Sequence, residues 1–398
     1  MCGARQVGKS TLLDMTFGAE SETVVFDAMQ DIEGARRDPD LFLDSRGFQP
    51  GGAPRRPRLI LDEIQFAPEL VPAIKRRVDR LAVPGQFLLS GSQQWQVMKH
   101  LAESLAGRAA FVDLEGFTLA ELAGKGGRPP WLAAFLLDPE VFVASDRPRL
   151  PLPRTVTEQV FRGFMPGVQG WPDAALDSWF AGYVRTYLER DARAFGDVHD
   201  WAEFGRFLRL AAAHSGQEVN AAQLGREVGL TPQTVRRWYA TLAATFQWSE
   251  LPPFHTNAVK RQSLRAKGYV TDVGLAAYLL GLPSANALLG RREWGALFET
   301  AVVGELRRQL AIVAPGATLS HYRAHGGAEV DVVIDHGGRL HPIEVKGNSR
   351  PHRQDAAGIL AFRAAHSGRD IAPGVILAPA ERAYAVAPEV WVVPWDVA

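Results

Sequence analysis

The stretch Gly3-Ala4-Arg5-Gln6-Val7-Gly8-Lys9-Ser10 constrains this chain more than any other. It fits G-x-x-x-x-G-K-[ST], the loop that cradles nucleotide phosphates. Its glycines let successive backbone N–H groups turn inward around phosphate oxygens. Lys9 would reach the β- and γ-phosphates, and the Ser10 hydroxyl would ligate Mg²⁺. Gly3, Val7, Gly8 and Thr11 complete the expected nucleotide-binding set. A helix from about Lys9 would point its positive end at the same anion. Such a loop is normally fed by a buried strand, yet only Met1 and Cys2 precede Gly3. The central strand is therefore expected to be missing. A true start upstream is the favoured explanation, a cut or crippled site the other.

The second half of a nucleotide site follows about 50 residues later. Thr23 to Asp27 reads as a short buried strand. Arg58 to Leu61 reads as another, ending in Asp62 and Glu63. Asp62 would hold Mg²⁺ through water or Ser10, and Glu63 would orient or deprotonate the attacking water. Ligands in open α/β sheets lie at such carboxyl ends. The plainer reading is a strand running into a helix N-terminus, where acids are welcome. A third apolar strand, Gln86 to Ser90, leads into Gly91-Ser92-Gln93-Gln94. Ser90 and Ser92 are candidates to sense the γ-phosphate, with Gln93 behind them. Arg108, in Ser104-Leu105-Ala106-Gly107-Arg108, could neutralise transition-state charge.

Charge narrows the choice of partners. Lys plus Arg and Asp plus Glu both number 44, so any nucleic-acid binding must come from a local basic face. The densest candidate lies between Arg206 and Asp272, with nine Lys or Arg against four Asp or Glu. Here Asn220 can cap a helix to about Val228, Gly229 permits a tight turn, and Thr231-Pro232 starts a second helix to about Ala244. Helix, glycine turn, helix is a helix-turn-helix signature. Its second helix would expose Gln233, Thr234, Arg236 and Arg237 to a DNA groove, with Trp238 and Leu242 facing the core. Lys260, Arg261, Arg265 and Lys267 fit a basic wing. Protein contacts or a lid role are the alternatives to DNA. The single cysteine, Cys2, excludes an internal disulfide and suits a cytoplasmic protein. No apolar run is long enough to span a membrane.

Near the C-terminus, Glu329 to Ile334 and Leu340 to Lys346 alternate as strands around His336-Gly337-Gly338-Arg339, a hairpin signal. A fold symmetric about the two glycines sets Asp331 opposite Glu344, because 331 and 344 sum to the same total as 337 and 338. Lys346 shares that face. Opposed carboxylates repel, and a divalent cation such as Mg²⁺ or Mn²⁺ would relieve them. The metal would polarise a phosphate, with Lys346 stabilising developing charge. A solvated surface hairpin is the plainer alternative. His341 and His352 flank the pair and read as structural.

The succession of phosphate loop, Leu-Asp-Glu-Ile-Gln, Ser-Gly-Ser-Gln and Ser-Leu-Ala-Gly-Arg resembles bacterial and archaeal AAA-type ATP-binding proteins. Those carry a C-terminal domain of unknown function related to PD-(D/E)xK nucleases. Phe161-Arg162-Gly163-Phe164-Met165-Pro166 and Tyr187-Leu188-Glu189-Arg190-Asp191 are similar to further elements of that family. The resemblance implies that Arg108 matters, that Asp331, Glu344 and Lys346 match the nuclease pattern, and that Glu299 is its additional helical acid. Val330 stands where the pattern has proline.

The expected fold class is multidomain α/β. It comprises a P-loop AAA-type ATPase core (1–125), a linker and helical lid (126–200), a winged helix (201–284) and a restriction-endonuclease-like domain (285–398). The expected function is ATP hydrolysis coupled to DNA binding or metal-dependent cleavage, with ATP and Mg²⁺ as cofactors. The alternative is a nucleotide-gated switch that binds nucleic acid or a partner without cutting; a degraded remnant is a third reading. The oligomeric state is left open.

Overall fold

The structure, a computed structural model, describes residues 1–49, 57–81, 83–92, 105–187, 192, 200–255, 264–324 and 326–398. Gln93, Gln94, Ser104, Leu188 to Asp191, Lys260 and Arg261 lie outside the described residues. The chain divides into two compact units. One comprises Met1–Glu115, Arg185–Asp197 and Ala240–Gln247; the other comprises Gly116–Val184, Val198–Tyr239 and Trp248–Ala398. The segments read from sequence as winged helix and C-terminal domain thus fall largely in one unit.

The first unit is built on a parallel sheet. Strand β1 (Ser21–Val25) pairs with β2 (Arg58–Asp62), which pairs with β3 (Phe87–Leu89). Leu59, Ile60 and Leu61 are all buried, so β2 carries no solvent face, as a central parallel strand requires. β1 begins two residues before the expected Thr23, because Ser21 and Glu22 pair with Arg58 and Leu59 across the ladder. The strand expected to be missing is represented by two residues. Cys2 makes parallel bridges to Gly91 and to Asp113, and its N–H and C=O bond to Val112 O and Leu114 N at 2.8 and 2.7 Å. The phosphate loop therefore leaves a strand position beside β3. Helix α1 (Lys9–Phe17) follows Gly8, whose φ of 87° turns the backbone into the helix. Helix α2 (Leu70–Leu81) packs beside this core.

Largely within the second unit, α3 (Leu176–Thr186) and α4 (Trp201–Ala213) precede a helix pair, α5 (Ala221–Val228) and α6 (Pro232–Ala244). Asn220 caps α5 by accepting from Gln223 N at 3.2 Å, and Gly229 closes it with φ 80°. Thr231 Oγ1 accepts from Thr234 N at 3.1 Å at the start of α6. Trp238 packs edge-on against Phe204 and Phe207 of α4, with ring centroids 5.2 and 5.3 Å away. Gln233, Arg236 and Arg237 are exposed. A small antiparallel sheet follows, in the order β4 (Gln217–Glu218), β6 (Lys267–Val270), β5 (Trp248–Leu251).

This unit also holds a six-stranded mixed sheet, flanked by α7 (Glu293–Val313) and α8 (Ala357–Ala365). Its strands are β7 (Thr318–Arg323), β8 (Glu329–His336), β9 (Arg339–Val345), β10 (Gly374–Ala378), β11 (Tyr384–Ala387) and β12 (Val390–Pro394). The order is β11-β12-β10-β9-β8-β7. The β8–β9 hairpin turns on Gly337 and Gly338, with φ of 62° and 87°. Positive φ at both central residues defines the type I′ turn that matches strand twist. Observed partners run from His336↔Arg339 to Val332↔Ile343. One step further in that register, Asp331 lies across from Glu344.

Candidate functional site

The first cluster gathers around Asp62, at the carboxyl end of β2. Ser10 Oγ donates to Asp62 Oδ2, and Ser90 Oγ donates to Asp62 Oδ1. Glu63 N donates to Asp62 Oδ1 at 3.0 Å. Asp62 and Ser90 are buried, so this carboxylate is aimed before any ligand arrives. Lys9, also buried, donates to the carbonyls of Gly3 and Ala4, each at 2.9 Å. Ser10 and Thr11, on the first turn of α1, are exposed. Glu63 sits in the left-handed region with φ 57°, a costly conformation for a non-glycine residue and one that clusters at functional sites. Gln65 Nε2 links Glu63 Oε2 to Ser92 Oγ, the latter at 3.1 Å. Sequence reasoning quoted Gln65 within a motif and gave it no role. Its spacing of two from Glu63 was the available signal. Ser90, read as a γ-phosphate sensor, spends its hydroxyl on Asp62. Arg108 lies at the surface, gripping Asp79 of α2 through Nε and, at 3.2 Å, through Nη2.

The second cluster lies in the other unit, on β8, β9, α7 and β6. Asp331 and Glu344 are buried. Asp331 Oδ2 accepts from Val345 N at 3.0 Å, and Lys346 Nζ donates to Glu344 Oε1 at 2.7 Å. Glu299, projecting from α7, accepts from Tyr269 Oη at 2.8 Å. The sequence reads Lys267 as part of a basic wing; the structure instead turns its side chain into this cluster. Lys267 is buried, and its ammonium lies 3.0 Å from Asp331 Oδ1, 3.1 Å from Glu299 Oε1 and 2.5 Å from Glu329 Oε1. The repulsion expected to call for a divalent ion is therefore relieved by two lysines. Among the described residues no group of three or more His, Cys, Asp and Glu side chains is arranged to hold a metal ion. Glu329 was also missed, although its period-two spacing from Asp331 puts both on one strand face. Lys267 left no such signal.

Electrostatics follow from burial. Burial, then the charge of Asp331, pushes Glu344 up to about 8 and Glu299 up to about 7. Burial alone would lower Lys267, but Asp331, Glu299 and Glu329 outweigh it and hold the ammonium firmly protonated. Glu344 Oε2 is buried with no hydrogen-bond partner among the described residues. Only that oxygen is open to a ligand: Asp331 and Glu299 are engaged by Lys267, Val345 N and Tyr269, so a hard cation such as Mg²⁺ or Mn²⁺ would need those acids freed.

His341 lies on the other face of β9, edge-on to Phe135 at 5.4 Å between ring centroids. Burial lowers it to about 4, so the fold holds it neutral while the unfolded chain protonates it near 6.5. Its contribution to stability is present above pH about 6.5 and lost as pH falls towards about 4. His341→Leu should flatten that acid limb by up to about 3 kcal/mol. Urea titrations of both proteins at pH 7 and pH 5 check this.

Three family models match successive parts of the chain. Residues 1–123 match an AAA domain, residues 153–286 a domain of unknown function (DUF8612), and residues 294–397 a domain of unknown function (DUF4143). Uncharacterized proteins of Mycobacterium tuberculosis and Mycobacterium bovis are each 29% identical over 397 residues, covering 100% of this chain and 79% of theirs. The N-terminal region is thus similar to AAA domains, and the two later regions to domains of unknown function. No described helix is long and apolar enough to cross a membrane.

Proposed function

We propose that this chain binds and hydrolyses ATP and couples turnover to nucleic acid held by its second unit. The observation that carries this reading is the Ser10–Asp62–Ser90 network, which aims a buried carboxylate at the phosphate loop. Ser10 and Asp62 would hold Mg²⁺, which neutralises charge on the bridged phosphates. Glu63, fixed by Gln65, would orient the attacking water. Lys9 would exchange two loop carbonyls for phosphate oxygens. Arg236 and Arg237 on α6 supply a basic face for DNA.

Asp331, Glu344, Glu299 and Lys346 would form the metal-dependent cleavage site, with Asp331 and Glu344 as ligands. Mg²⁺-dependent DNA cutting by the purified chain is then expected to fall at least about 100-fold in Glu344→Ala and in Lys346→Ala. Single-stranded, duplex and branched DNA are the substrates to try. The second reading, a nucleotide-gated switch that does not cut, is favoured by the Lys267–Asp331 pair, which leaves the acids neutralised. Absence of cleavage on all three substrates would decide for it.

A further inference from the structure

The position of Lys267 deepens the metal-site reading and rests on it. Its ammonium contacts three carboxylates from two elements: Glu329 and Asp331 on β8, and Glu299 on α7. A Mg²⁺ or Mn²⁺ ion binds carboxylate oxygens at about 2.0–2.2 Å. An ion chelated by Asp331 Oδ1 together with Glu299 Oε1 or Glu329 Oε1 would need the place between them that the ammonium fills, 3.0, 3.1 and 2.5 Å from the three oxygens. Two like charges that close, in a buried site, repel strongly. Lys267 and a divalent ion therefore exclude one another.

We propose that Lys267 is a tethered plug in the cation position of this site, and that a divalent ion enters only when β6 withdraws it. The carrier suits that role. Lys267 is the first residue of β6, the middle strand of the small sheet. It is paired with Leu251 on one side and Glu218 on the other. Its side chain can leave the acids only if this strand end shifts or the long aliphatic stem swings out. Glu344, whose Oε1 is held by Lys346 and whose Oε2 is orphaned, is the ligand left waiting. Lys346 is half-exposed and stays beside Glu344 in either state, whereas Lys267 is the group that must go. The plug keeps the site silent until the winged-helix sheet is disturbed, as it would be by a ligand on that element.

The test is Mn²⁺ binding to the full chain without nucleotide, followed by calorimetry and the Mn²⁺ spin signal. Ser10→Ala is carried throughout so that the phosphate loop does not contribute. Adding Lys267→Met is expected to tighten one Mn²⁺ site at least tenfold, and Glu344→Gln in that background is expected to abolish the gain. If the Ser10→Ala protein already binds a Glu344-dependent Mn²⁺ equally tightly, the plug is overturned while the metal reading stands. If neither protein binds Mn²⁺, both fall. Removing a buried ammonium can also unfold the site, so the unmutated chain supplies a second readout. Saturating Mn²⁺ is expected to raise acylation of Lys267 by an amine-directed reagent several-fold, read by mass spectrometry. A Lys267 equally protected with and without Mn²⁺ overturns the plug.

Discussion

ATP turnover by Glu63→Gln is expected to fall at least about 100-fold while ATP binding persists, the usual effect of removing a group that activates the nucleophile. The left-handed backbone at Glu63 and its link to Gln65 position the carboxylate beside, and not within, the Ser10–Asp62 pair. Removing its charge should leave Mg²⁺ and phosphate contacts in place. Lys9→Ala should instead lose binding itself. The Lys9 ammonium is buried against the carbonyls of Gly3 and Ala4, and no other side chain of the loop carries a buried positive charge. Equilibrium binding of a fluorescent ATP analogue and steady-state phosphate release separate the two variants. A Glu63→Gln protein that hydrolyses ATP normally would remove Glu63 from the reaction.

Asp272→Ala is expected to destabilise the second unit by about 3–5 kcal/mol, more than a typical substitution. Asp272 is buried and accepts four backbone N–H bonds. Oδ1 takes Gly274 at 2.9 Å and Leu275 at 3.1 Å; Oδ2 takes Phe164 at 2.7 Å and Met165 at 3.1 Å. Alanine would leave all four donors buried and unpaired, each at a cost of about 1–3 kcal/mol before relaxation. The same carboxylate explains Gly163. A Cβ there would lie 2.1 Å from Asp272 Oδ1, on a backbone already at φ 78°. Asp272→Asn keeps one acceptor oxygen and should lose less. Guanidinium unfolding of the three proteins gives the order; equal stability of Asp272→Ala and the parent would refute it.

The readable parts of this molecule share one property: their signals are local in sequence. Gly337-Gly338 demands a tight turn, and the turn sets the β8–β9 register by counting alone. Asn220, Gly229 and Thr231 bracket their helices through bonds to neighbours three or four residues away. The Ser10–Asp62 contact spans 52 residues, yet both ends sit in stereotyped motifs. Lys267 had no such frame. It stands in a basic run, and a basic run reads as a solvated face unless the partner acids are known. Those acids lie 32, 62 and 64 residues onward, on other elements. The contact of Arg108 with Asp79 was hidden for a related reason, since Asp79 is an ordinary helical acid with no pattern of its own. The place of Met1 and Cys2 was hidden because two residues carry no periodicity; only pairing with Gly91 and Asp113 reveals it.

Mg²⁺-dependent phosphate release from ATP by the whole chain, with and without DNA, tests the proposed coupling most directly. The account predicts measurable turnover that DNA raises several-fold and that Glu344→Ala leaves intact. Turnover indifferent to every form of DNA, or none at all, would contradict it.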